Sequence, residues 1–377
     1  KNKNQNREHP HLPSITMSLI PSKTLSAKDE TGKMIRHDIN RRALGANDIH
    51  IKVSYSGVCH SDIHTAKGEW GKKTYPLCVG HEILGTVVQV GPSVATFKVG
   101  DIAGVGCFTN SCQHCEECKE GEEQYCSGEG GMHGTYGSIR PEALHPGGVS
   151  QGGYASDFVV DANYAIHIPA KMNVAACAPL LCAGITCFSP FKTHNIQAGQ
   201  ALGVVGLGGL GHMAVKIGNA LGCTVTVFSR SPGKEALARE MGASNFVVST
   251  DEEAMKAAAK TQHFIYNSIA FPHDIQPYLN CLKARGTIIM VGGVPAGAMP
   301  KGSFALIGRG LRVAGSCIGG IRQTQEMIDF CAEHDLLAEI ELIEASPEAV
   351  DAAWERCIKS DVKFRFVIDT AKTMQMG

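Results

Sequence analysis

The sequence lacks an excess of charge of either sign, because 35 lysine and arginine residues stand against 36 aspartate and glutamate residues in 377. This balance gives no general electrostatic attraction to DNA, RNA or an anionic membrane. The sequence also lacks a long apolar run, since the longest, residues 174–188, is interrupted by Pro179 and is too short to span a bilayer. We therefore expect neither nucleic acid nor a membrane among the partners of this chain.

Aromatic residues are scarce at 6% of the chain, whereas glycine is abundant at 43 residues. The apolar fraction of 44% is ordinary for a globular protein and excludes general disorder, and the length suggests two domains.

Residues 1–16 are polar, have no apolar segment of a signal peptide, and are expected to be a disordered leader or an expression remnant. We expect a cytoplasmic protein in which the 15 cysteines stay reduced.

Two hydrophobic periodicities divide the chain. Residues 48–105 alternate apolar and polar side chains in short runs, for example at 49–53 and 85–91, which predicts half-buried antiparallel strands. After about residue 184, apolar strands alternate with helical patterns, which predicts a parallel, doubly wound sheet. The fold class is therefore α/β. From Gln323 we expect a helix to about His334 and then mixed strands to Asp369.

Four cysteines lie close together in a glycine- and glutamate-rich loop at residues 106–130, at the positions Cys112, Cys115, Cys118 and Cys126. Four thiolates within 15 residues can form a closed tetrahedral shell around Zn²⁺, so this ion is predicted to be structural. A zinc ribbon that binds nucleic acid is the alternative. It is disfavoured because five glutamates and one lysine line the loop between residues 116 and 123, a charge that repels phosphate.

A dinucleotide-binding fingerprint follows the first strand of the second half. It consists of the consecutive residues Gly206, Leu207, Gly208, Gly209, Leu210 and Gly211. Because it follows an apolar strand and opens a helix, the glycines are expected to let the backbone approach a pyrophosphate at the helix N-terminus.

The residues after the next predicted strand indicate which dinucleotide binds. NAD-binding proteins usually place a carboxylate there, which holds the ribose 2′-hydroxyl. Here the segment carries Ser229, Arg230, Ser231 and Lys234 and no carboxylate. Hydroxyls and cationic groups favour a 2′-phosphate, so we predict NADP(H) over NAD(H).

Three distant segments carry Cys59, His81 with its neighbour Glu82, and Cys182. Two thiolates and an imidazole, with water in the fourth position, would make an open zinc site. Spacing alone does not establish such a site, because any one buried cysteine is as well explained as a small apolar residue.

In this order, with the four-cysteine loop between the second and third segments, the sequence resembles the zinc-dependent medium-chain alcohol dehydrogenases, and within them the cinnamyl alcohol dehydrogenase branch. The resemblance runs from about residue 17 to the end and rests on these motifs: Gly57–His64, Gly80–Glu82, Gly100-Asp101, Gly152–Ala155, Leu180–Thr186, Val204–His212 and Asp361–Asp369. It implies a GroES-like, mostly antiparallel catalytic domain at 17–183, completed by 319–377, and a Rossmann domain at 184–318.

The resemblance implies that Cys59, His81 and Cys182 bind a catalytic zinc ion. Glu82 is then a nearby carboxylate that enters the shell when water or substrate leaves. With the ion in the four-cysteine loop, two zinc ions per chain are expected. Cys78, two residues before Gly80, departs from many relatives, and its thiol would be able to compete for metal or be oxidised.

The residues after Cys59 would carry protons. By resemblance Ser61 holds the substrate hydroxyl proton and His64 passes it to solvent through the cofactor ribose. Asp62 would orient His81, as physics expects of a carboxylate beside a zinc-bound imidazole. Ser61 and Asp62 also suit a simpler role, because both residue types cap helices.

The resemblance places the remaining site residues around the cofactor and substrate. His60 either faces the cofactor pyrophosphate or is an ordinary surface histidine, and Trp70 either lines the substrate pocket or belongs to the core. The other expected cofactor-binding residues are Thr186, Val291, Gly292 and Gly293 at the nicotinamide, Arg365 at the pyrophosphate, and Ser316 and Ile318.

The expected activity is reversible hydride transfer between NADP(H) and a primary alcohol or aldehyde, either aromatic, such as cinnamyl, or aliphatic. A homodimer is expected by analogy with the family, which is commonly dimeric through the cofactor-domain sheet. Four alternatives stay open: an NAD-dependent enzyme, a polyol dehydrogenase, a zinc-free quinone reductase of the same domain plan, and a protein that senses NADPH without turnover.

Overall fold

The computed structural model describes residues 18–293, 299–300, 302–359 and 361–374. The predicted leader, residues 1–16, lies outside the described residues. The strands are Ile20–Ser22 (β1), Leu25–Ala27 (β2), Met34–Arg36 (β3), Ile39–Arg41 (β4), Asp48–Gly57 (β5), Ile83–Val90 (β6), Ile102–Val105 (β7), Phe108–Asn110 (β8), His133–Gly134 (β9), Asp157–Asp161 (β10), Ile166–His167 (β11), Ala201–Val205 (β12), Thr224–Ser229 (β13), Asn245–Val248 (β14), Gln262–Asn267 (β15), Leu282–Met290 (β16), Arg312–Gly315 (β17), Ile340–Glu344 (β18) and Arg365–Asp369 (β19). The helices are His60–Ala66 (α1), Glu116–Glu120 (α2), Val174–Cys177 (α3), Ala183–Thr193 (α4), Gly211–Ala220 (α5), Glu235–Glu240 (α6), Glu252–Ala257 (α7), Gln276–Cys281 (α8), Phe304–Ile307 (α9), Ile321–Glu333 (α10), Pro347–Ile358 (α11) and Thr370–Thr373 (α12).

The first half of the chain builds a seven-stranded sheet around β5, which pairs antiparallel with β6, β10 and β19. Along β5 the side chains of Ile49, Ile51 and Val53 are buried, whereas those between them are partly exposed. This alternation is the predicted one. The C-terminal strands β18 and β19 join the same sheet, with Val367 opposite Gly57. The C-terminus therefore packs with the first half of the chain.

The second sheet has six strands, all parallel, in the order β14-β13-β12-β15-β16-β17. Its central strand β12 is buried from Leu202 to Val205, as a strand covered on both faces requires. Chain order reverses between β12 and β15, and ligands of doubly wound sheets bind outside the carboxyl ends of the strands at such a point. The predicted parallel α/β sheet is confirmed.

One prediction for the C-terminal region was wrong. Mixed strands were expected after about residue 334, but α11 lies between β18 and β19. Ser346 caps this helix by accepting a hydrogen bond from the amide of Ala349, and Pro347 occupies its first turn. The helix buries Val350, Ala353, Trp354 and Cys357, whose spacing is that of one helical face.

The helix α4 lies in the main apolar core, and its residues from Ala183 to Phe191 are buried. Among the described residues, no single helix has both the length and the apolar character needed to cross a membrane. Within the part of the chain that the structure describes, one pair of segments, 174–181 and 183–193, meets those criteria together, by length and composition alone, with a bend of 54° between its halves.

Candidate active site and metal centres

The first metal centre collects side chains from three places in the fold. Cys59 follows β5 and precedes α1, His81 and Glu82 precede β6, and Cys182 precedes α4. One ligand atom of each of these four residues lies within 4.8 Å of those of the others, and all four side chains are buried. The Sγ atoms of Cys59 and Cys182 are 3.9 Å apart. The structure thus brings together the four residues that the sequence places far apart.

This set fits a zinc ion on its own chemistry. Two thiolates bound tetrahedrally at about 2.3 Å would be separated by roughly 3.8 Å, which is close to the observed spacing. Both carboxylate oxygens of Glu82 are buried and have no hydrogen-bond donor among the described residues. Burial raises the pKa of Glu82 to about 8, against the opposing charge of Arg365. A cation would offset the charge of this buried carboxylate, which has Arg365 at 3.5 Å but no hydrogen-bond donor among the described residues.

Asp62 lies beside the metal centre and contacts two of its ligand residues, His81 and Cys59. Its Oδ1 atom lies 3.0 Å from Nδ1 of His81 and accepts a hydrogen bond from the amide of Gly80. Its Oδ2 atom accepts from the amide of Cys59 at 2.9 Å and from the hydroxyl of Tyr154 at 3.0 Å. The contact at Nδ1 leaves Nε2 of His81 for a cation, as expected of a zinc-bound imidazole.

Two tyrosines at this centre have no role in the sequence-based prediction. The Tyr136 hydroxyl lies 3.0 Å from Nδ1 of His81, and Tyr154 is fully buried against Asp62. Tyr154 also explains why residue 80 is a glycine, because a Cβ atom on Gly80 would lie 2.5 Å from the Tyr154 ring. Gly80 moreover has φ +106°, a conformation that favours glycine. The motif at 152–155 was the available signal for Tyr154, whereas no pattern marks Tyr136.

The proposed proton carriers lie on α1. Ser61 Oγ is 3.6 Å from Sγ of Cys59. His64 is in the last turn, forms a short contact from Nδ1 to the Glu69 carboxylate, and stacks on Trp70 with ring centroids 5.1 Å apart. The prediction did not include Glu69, since nothing in the sequence marks it. Trp70 is 50% exposed, so the alternative that it is a core residue is wrong.

The second metal centre is the four-cysteine loop. The Sγ atoms of Cys112 and Cys118 are 3.9 Å apart, as are those of Cys115 and Cys126. All four thiols lie within 4.8 Å of one another. The backbone amide of His114, followed by that of Cys115, lowers the pKa of Cys112 to about 6. Amides that point at a sulfur stabilise the thiolate that zinc requires.

The four-cysteine loop also contacts the segment that returns to the first sheet. The Glu123 carboxylate accepts a hydrogen bond from the amide of Ile321, at the N-terminus of α10, where a negative charge is favourable. Arg322 donates to the carbonyl of Glu120 at 2.7 Å, and the amide of Cys317 donates to the Tyr125 hydroxyl at 3.0 Å. The loop therefore packs against residues 317–322 as well as providing a metal site.

The glycine-rich fingerprint has the backbone that its spacing predicts. Gly206 ends β12 with φ +87°, and a Cβ atom on Gly211 would lie 1.9 Å from the carbonyl oxygen of Gly206. Space around Gly208 is open, since a Cβ atom there would meet nothing within 4 Å. The carbonyl of Gly208 accepts from the amide of His212, and that of Leu210 lies 3.1 Å from the thiol of Cys187.

The basic segment after β13 lies beside this fingerprint. Lys234 Nζ donates to the carbonyl of Leu207 at 3.1 Å, and the hydroxyl of Ser229 accepts from the amide of Ser231. The Arg230 guanidinium lies 5.3 Å from the ring centroid of Phe271. Cationic groups therefore flank the loop, and within the described residues no carboxylate pairs with Arg230.

Arg365 connects the first metal centre to the fingerprint. Its Nη1 atom lies 3.5 Å from Oε1 of Glu82 and donates to the carbonyl of Val58. A Cβ atom on Gly209 would lie 2.9 Å from its Nε atom, so glycine at this position leaves room for the guanidinium as it is placed. Thr186 follows Cys182 by one turn of α4, and its amide donates to the Cys182 carbonyl at 2.9 Å.

The other expected cofactor-binding residues line the carboxyl ends of the parallel strands. The amides of Val291 and Gly292 both donate to the carbonyl of Asn267, and that of Ser316 donates to Met290. A Cβ atom on Gly293 would lie 3.9 Å from the Trp70 ring. His60 is exposed at the start of α1, and Ile318 lies with Leu181 and Cys107 in a small cavity.

Cys78 does not face the first metal centre. Its buried thiol lies 3.4 Å from the carbonyl of Gly152 and 3.5 Å from that of Tyr154. Burial raises its pKa to about 12, and its thiol is not among the ligand atoms that cluster at either metal centre of the described chain.

Comparison with known proteins decides the family. Residues 45–170 match the alcohol dehydrogenase GroES-like domain, and residues 209–333 match the zinc-binding dehydrogenase domain. The chain is 45% identical to the NADP-dependent alcohol dehydrogenase C 1 of Mycolicibacterium smegmatis over 346 residues, which cover 92% of this chain and 97% of that protein. The chain belongs to the zinc-binding alcohol dehydrogenase family.

Two further relatives are named as cinnamyl alcohol dehydrogenases. This chain is 46% identical to cinnamyl alcohol dehydrogenase 7 of Oryza sativa, with 93% of each chain covered. The crystal structure of a cinnamyl alcohol dehydrogenase from Helicobacter pylori, complexed with NADP(H), matches with a TM-score of 0.86 and 39% identity, covering 94% of this chain and 100% of that one. The predicted resemblance to the cinnamyl alcohol dehydrogenase branch is confirmed, as are the GroES-like and Rossmann-type folds.

Proposed function

We propose that this family member is a zinc- and NADP-dependent alcohol dehydrogenase that reduces aldehydes to primary alcohols and catalyses the reverse reaction. The observation that carries the proposal is the buried set of Cys59, His81, Glu82 and Cys182, connected through Arg365 to the dinucleotide fingerprint. A zinc-free quinone reductase or a non-catalytic sensor would have no use for this arrangement.

Each residue of the set has a separate task. When bound to Cys59, His81 and Cys182, zinc supplies a Lewis acid for the substrate oxygen. Asp62 keeps His81 in the orientation and tautomer that binding requires. Arg365 holds the Glu82 carboxylate through an ion pair, so that Glu82 stays beside the other three ligands.

Proton transfer belongs to Ser61 and His64. Ser61 binds the hydroxyl proton of the substrate, and His64, whose Nδ1 atom is held by Glu69, exchanges that proton with solvent. The stack of His64 on Trp70 fixes the imidazole, and the exposed face of Trp70 borders the substrate. When bound, NADPH would supply the hydride, and Thr186 with the backbone at 291–293 would hold its nicotinamide.

The cofactor preference rests on the segment after β13. Arg230, Lys234 and the hydroxyls of Ser229 and Ser231 would hold the 2′-phosphate, and residues 206–211, with His60 and Arg365, would hold the pyrophosphate. Ser316 and Ile318 complete the site at the end of β17. A carboxylate in this segment would repel the phosphate, and the chain has none there.

The test is a panel of cinnamyl, benzyl and aliphatic aldehydes assayed with NADPH and NADH, before and after removal of metal by a chelator. We expect turnover with NADPH that is lost on chelation and restored by Zn²⁺, and elemental analysis should find about two zinc ions per chain. Turnover of mannitol in preference to every aldehyde would instead indicate a polyol dehydrogenase. Unchanged activity in fully demetallated protein would refute the mechanism.

We further propose a homodimer that forms through β17. This strand is last in the second sheet and leaves one edge without a partner in the described chain. The nearby side chains of Phe304 and Ile307 are 89% and 70% exposed. An open strand edge beside exposed apolar residues is a surface that folded proteins usually cover. Sedimentation analysis should give twice the chain mass, and Phe304→Glu should shift it towards the monomer.

The free cysteines of this protein favour a reducing compartment. All 15 cysteines are free, and 13 of them either belong to the two metal centres or are buried. We propose a cytoplasmic location, where thiols stay reduced. Cell fractionation with an activity assay tests it.

A further inference from the structure

A cleft in the catalytic domain lies apart from both metal centres. Its walls are β4, β8, β9, β10 and the loop at 144–151, and it measures about 570 Å³ when counted out to open solvent. Four basic side chains line it, those of Arg41, Arg42, His133 and His145. Among the described residues that line it, none is an aspartate or a glutamate. We call this the basic cleft.

The positive charge of the basic cleft is only partly compensated. Arg42 pairs with Asp48, but the buried Arg41 guanidinium donates only to backbone carbonyls, those of Gln151, Gly152 and Asp157. The nearest carboxylate, that of Asp157, is already bound by His50 and Lys52. A cation that is fixed by carbonyl groups keeps its net charge, and that charge acts across the cleft.

One ring nitrogen at the basic cleft has no partner. Nδ1 of His133 is buried and has no hydrogen-bond partner among the described residues. Native structures rarely leave such buried nitrogens unpaired. Burial, followed by the charges of Arg42 and Arg41, lowers the pKa of His145 to about 4. His145 is therefore neutral near pH 7, and the positive charge of the basic cleft comes from Arg41 and Arg42.

We propose that the basic cleft binds a small oxyanion such as inorganic phosphate between His133 and His145. Phosphate offers several acceptor oxygens in a tetrahedral arrangement, which suits donors that approach from separate walls. The anion would supply the missing partner of His133 and compensate Arg41. The same chemistry would accept the phosphate group of a phosphorylated small molecule, so both probes are compared below.

The anion would stabilise the catalytic domain next to the first metal centre. Arg41 holds the carbonyls of Gln151 and Gly152, and the side-chain oxygen of Gln151 accepts from the amide of Cys78. The amide of Gly153 donates to the carbonyl of Gly80, beside His81. Occupation of the basic cleft therefore stiffens the backbone that carries one zinc ligand.

The test is calorimetric titration of inorganic phosphate into zinc-loaded protein saturated with NADP⁺, with chloride used to hold the ionic strength constant. Saturation with NADP⁺ fills the phosphate sites of the cofactor, so that any remaining site lies elsewhere. We expect one saturable site per chain and a phosphate-dependent rise in Tm, because a ligand that binds only folded protein stabilises it. Glycerol 3-phosphate in a parallel titration shows whether a phosphate monoester is preferred.

Substitutions in the basic cleft test whether phosphate binds there. His133→Gln together with His145→Gln should weaken phosphate binding at least tenfold, whereas His334→Gln, an exposed histidine at the end of α10, should leave it unchanged. Should the double variant fail to fold, His145→Gln alone is the second variant, and it should weaken binding as well. Absence of saturable binding, or equal binding by wild type and the folded variants, overturns the proposal.

Discussion

Oδ1 of Asp62 lies 3.0 Å from Nδ1 of His81, and both residues are buried. The carboxylate fixes the imidazole for metal binding, so Asp62→Asn should weaken the zinc affinity of the first metal centre by about 10- to 100-fold. Competition with a chromophoric chelator measures that affinity. Tyr136→Phe removes the other contact at Nδ1 and should have a smaller effect, because no charge is lost. Equal zinc affinity in wild type and Asp62→Asn would contradict the orienting role.

We propose that Arg230 determines the cofactor preference. Arg230→Ala should reduce kcat/KM with NADPH by about tenfold or more, through loss of one charge-assisted phosphate contact, and should change kcat/KM with NADH little. Steady-state kinetics with both cofactors measures the ratio. Arg239→Ala, which breaks a surface ion pair with Glu235 on α6, is the matched control. A parallel loss with both cofactors would mean that Arg230 acts on the fold and not on the 2′-phosphate.

Kinetic measurements on two variants distinguish the role of Ser61 from that of His64. Ser61→Ala should lower kcat by about 10²-fold or more, the range of a lost general acid–base group, with intact zinc and cofactor binding. His64→Gln should lower kcat less and should change its pH profile, because solvent can replace a terminal proton carrier. If Ser61→Ala keeps its kcat, then Ser61 serves only at the start of α1.

How far the sequence could predict the site depends on how its residues are spaced. The four cysteines of residues 112–126 lie close enough for their spacing to set their geometry, so the zinc loop follows from the residues alone. Cys59 and Cys182 are 123 residues apart, yet their sulfurs lie 3.9 Å from each other. Only the folded first sheet brings them together, and only the family resemblance predicted it.

The residues that escaped prediction are those whose role depends on long-range packing. Tyr136 reaches His81 across 55 residues, and a single tyrosine has no periodic signal. Glu69 holds His64 from a loop just beyond α1. The helix α11 is a different case, because Ser346, Pro347 and the apolar spacing that follows were visible in the sequence.

The four-cysteine loop should stabilise the contact with α10. Cys115→Ser removes one thiolate, and we expect one zinc ion per chain in place of two, with a lower Tm, because structural zinc contributes directly to folding. Elemental analysis and differential scanning calorimetry measure the two effects. Cys317→Ser alters an exposed cysteine outside the shell and is the control. Two zinc ions in folded Cys115→Ser would show that this thiol is not a ligand.

Buried His212 should make the fold sensitive to acid. Its ring stacks on Phe364 with centroids 4.7 Å apart, and burial, followed by the charge of Arg365, lowers its pKa to about 3. The unfolded chain therefore binds a proton below about pH 6.5 that the folded chain does not bind, so stability falls as the pH falls through that window. This group alone removes about 2 kcal/mol between pH 6.5 and pH 5.

The variant His212→Gln isolates this contribution. Its absolute stability is expected to be lower, because the stack on Phe364 is lost, but its free energy of unfolding should decline less steeply from pH 6.5 to pH 5 than that of wild type. Urea titrations at four pH values give both slopes. His334→Gln, which changes an exposed histidine, should follow the wild-type curve. Identical slopes in His212→Gln and wild type would mean that His212 is protonated within the fold at pH 5.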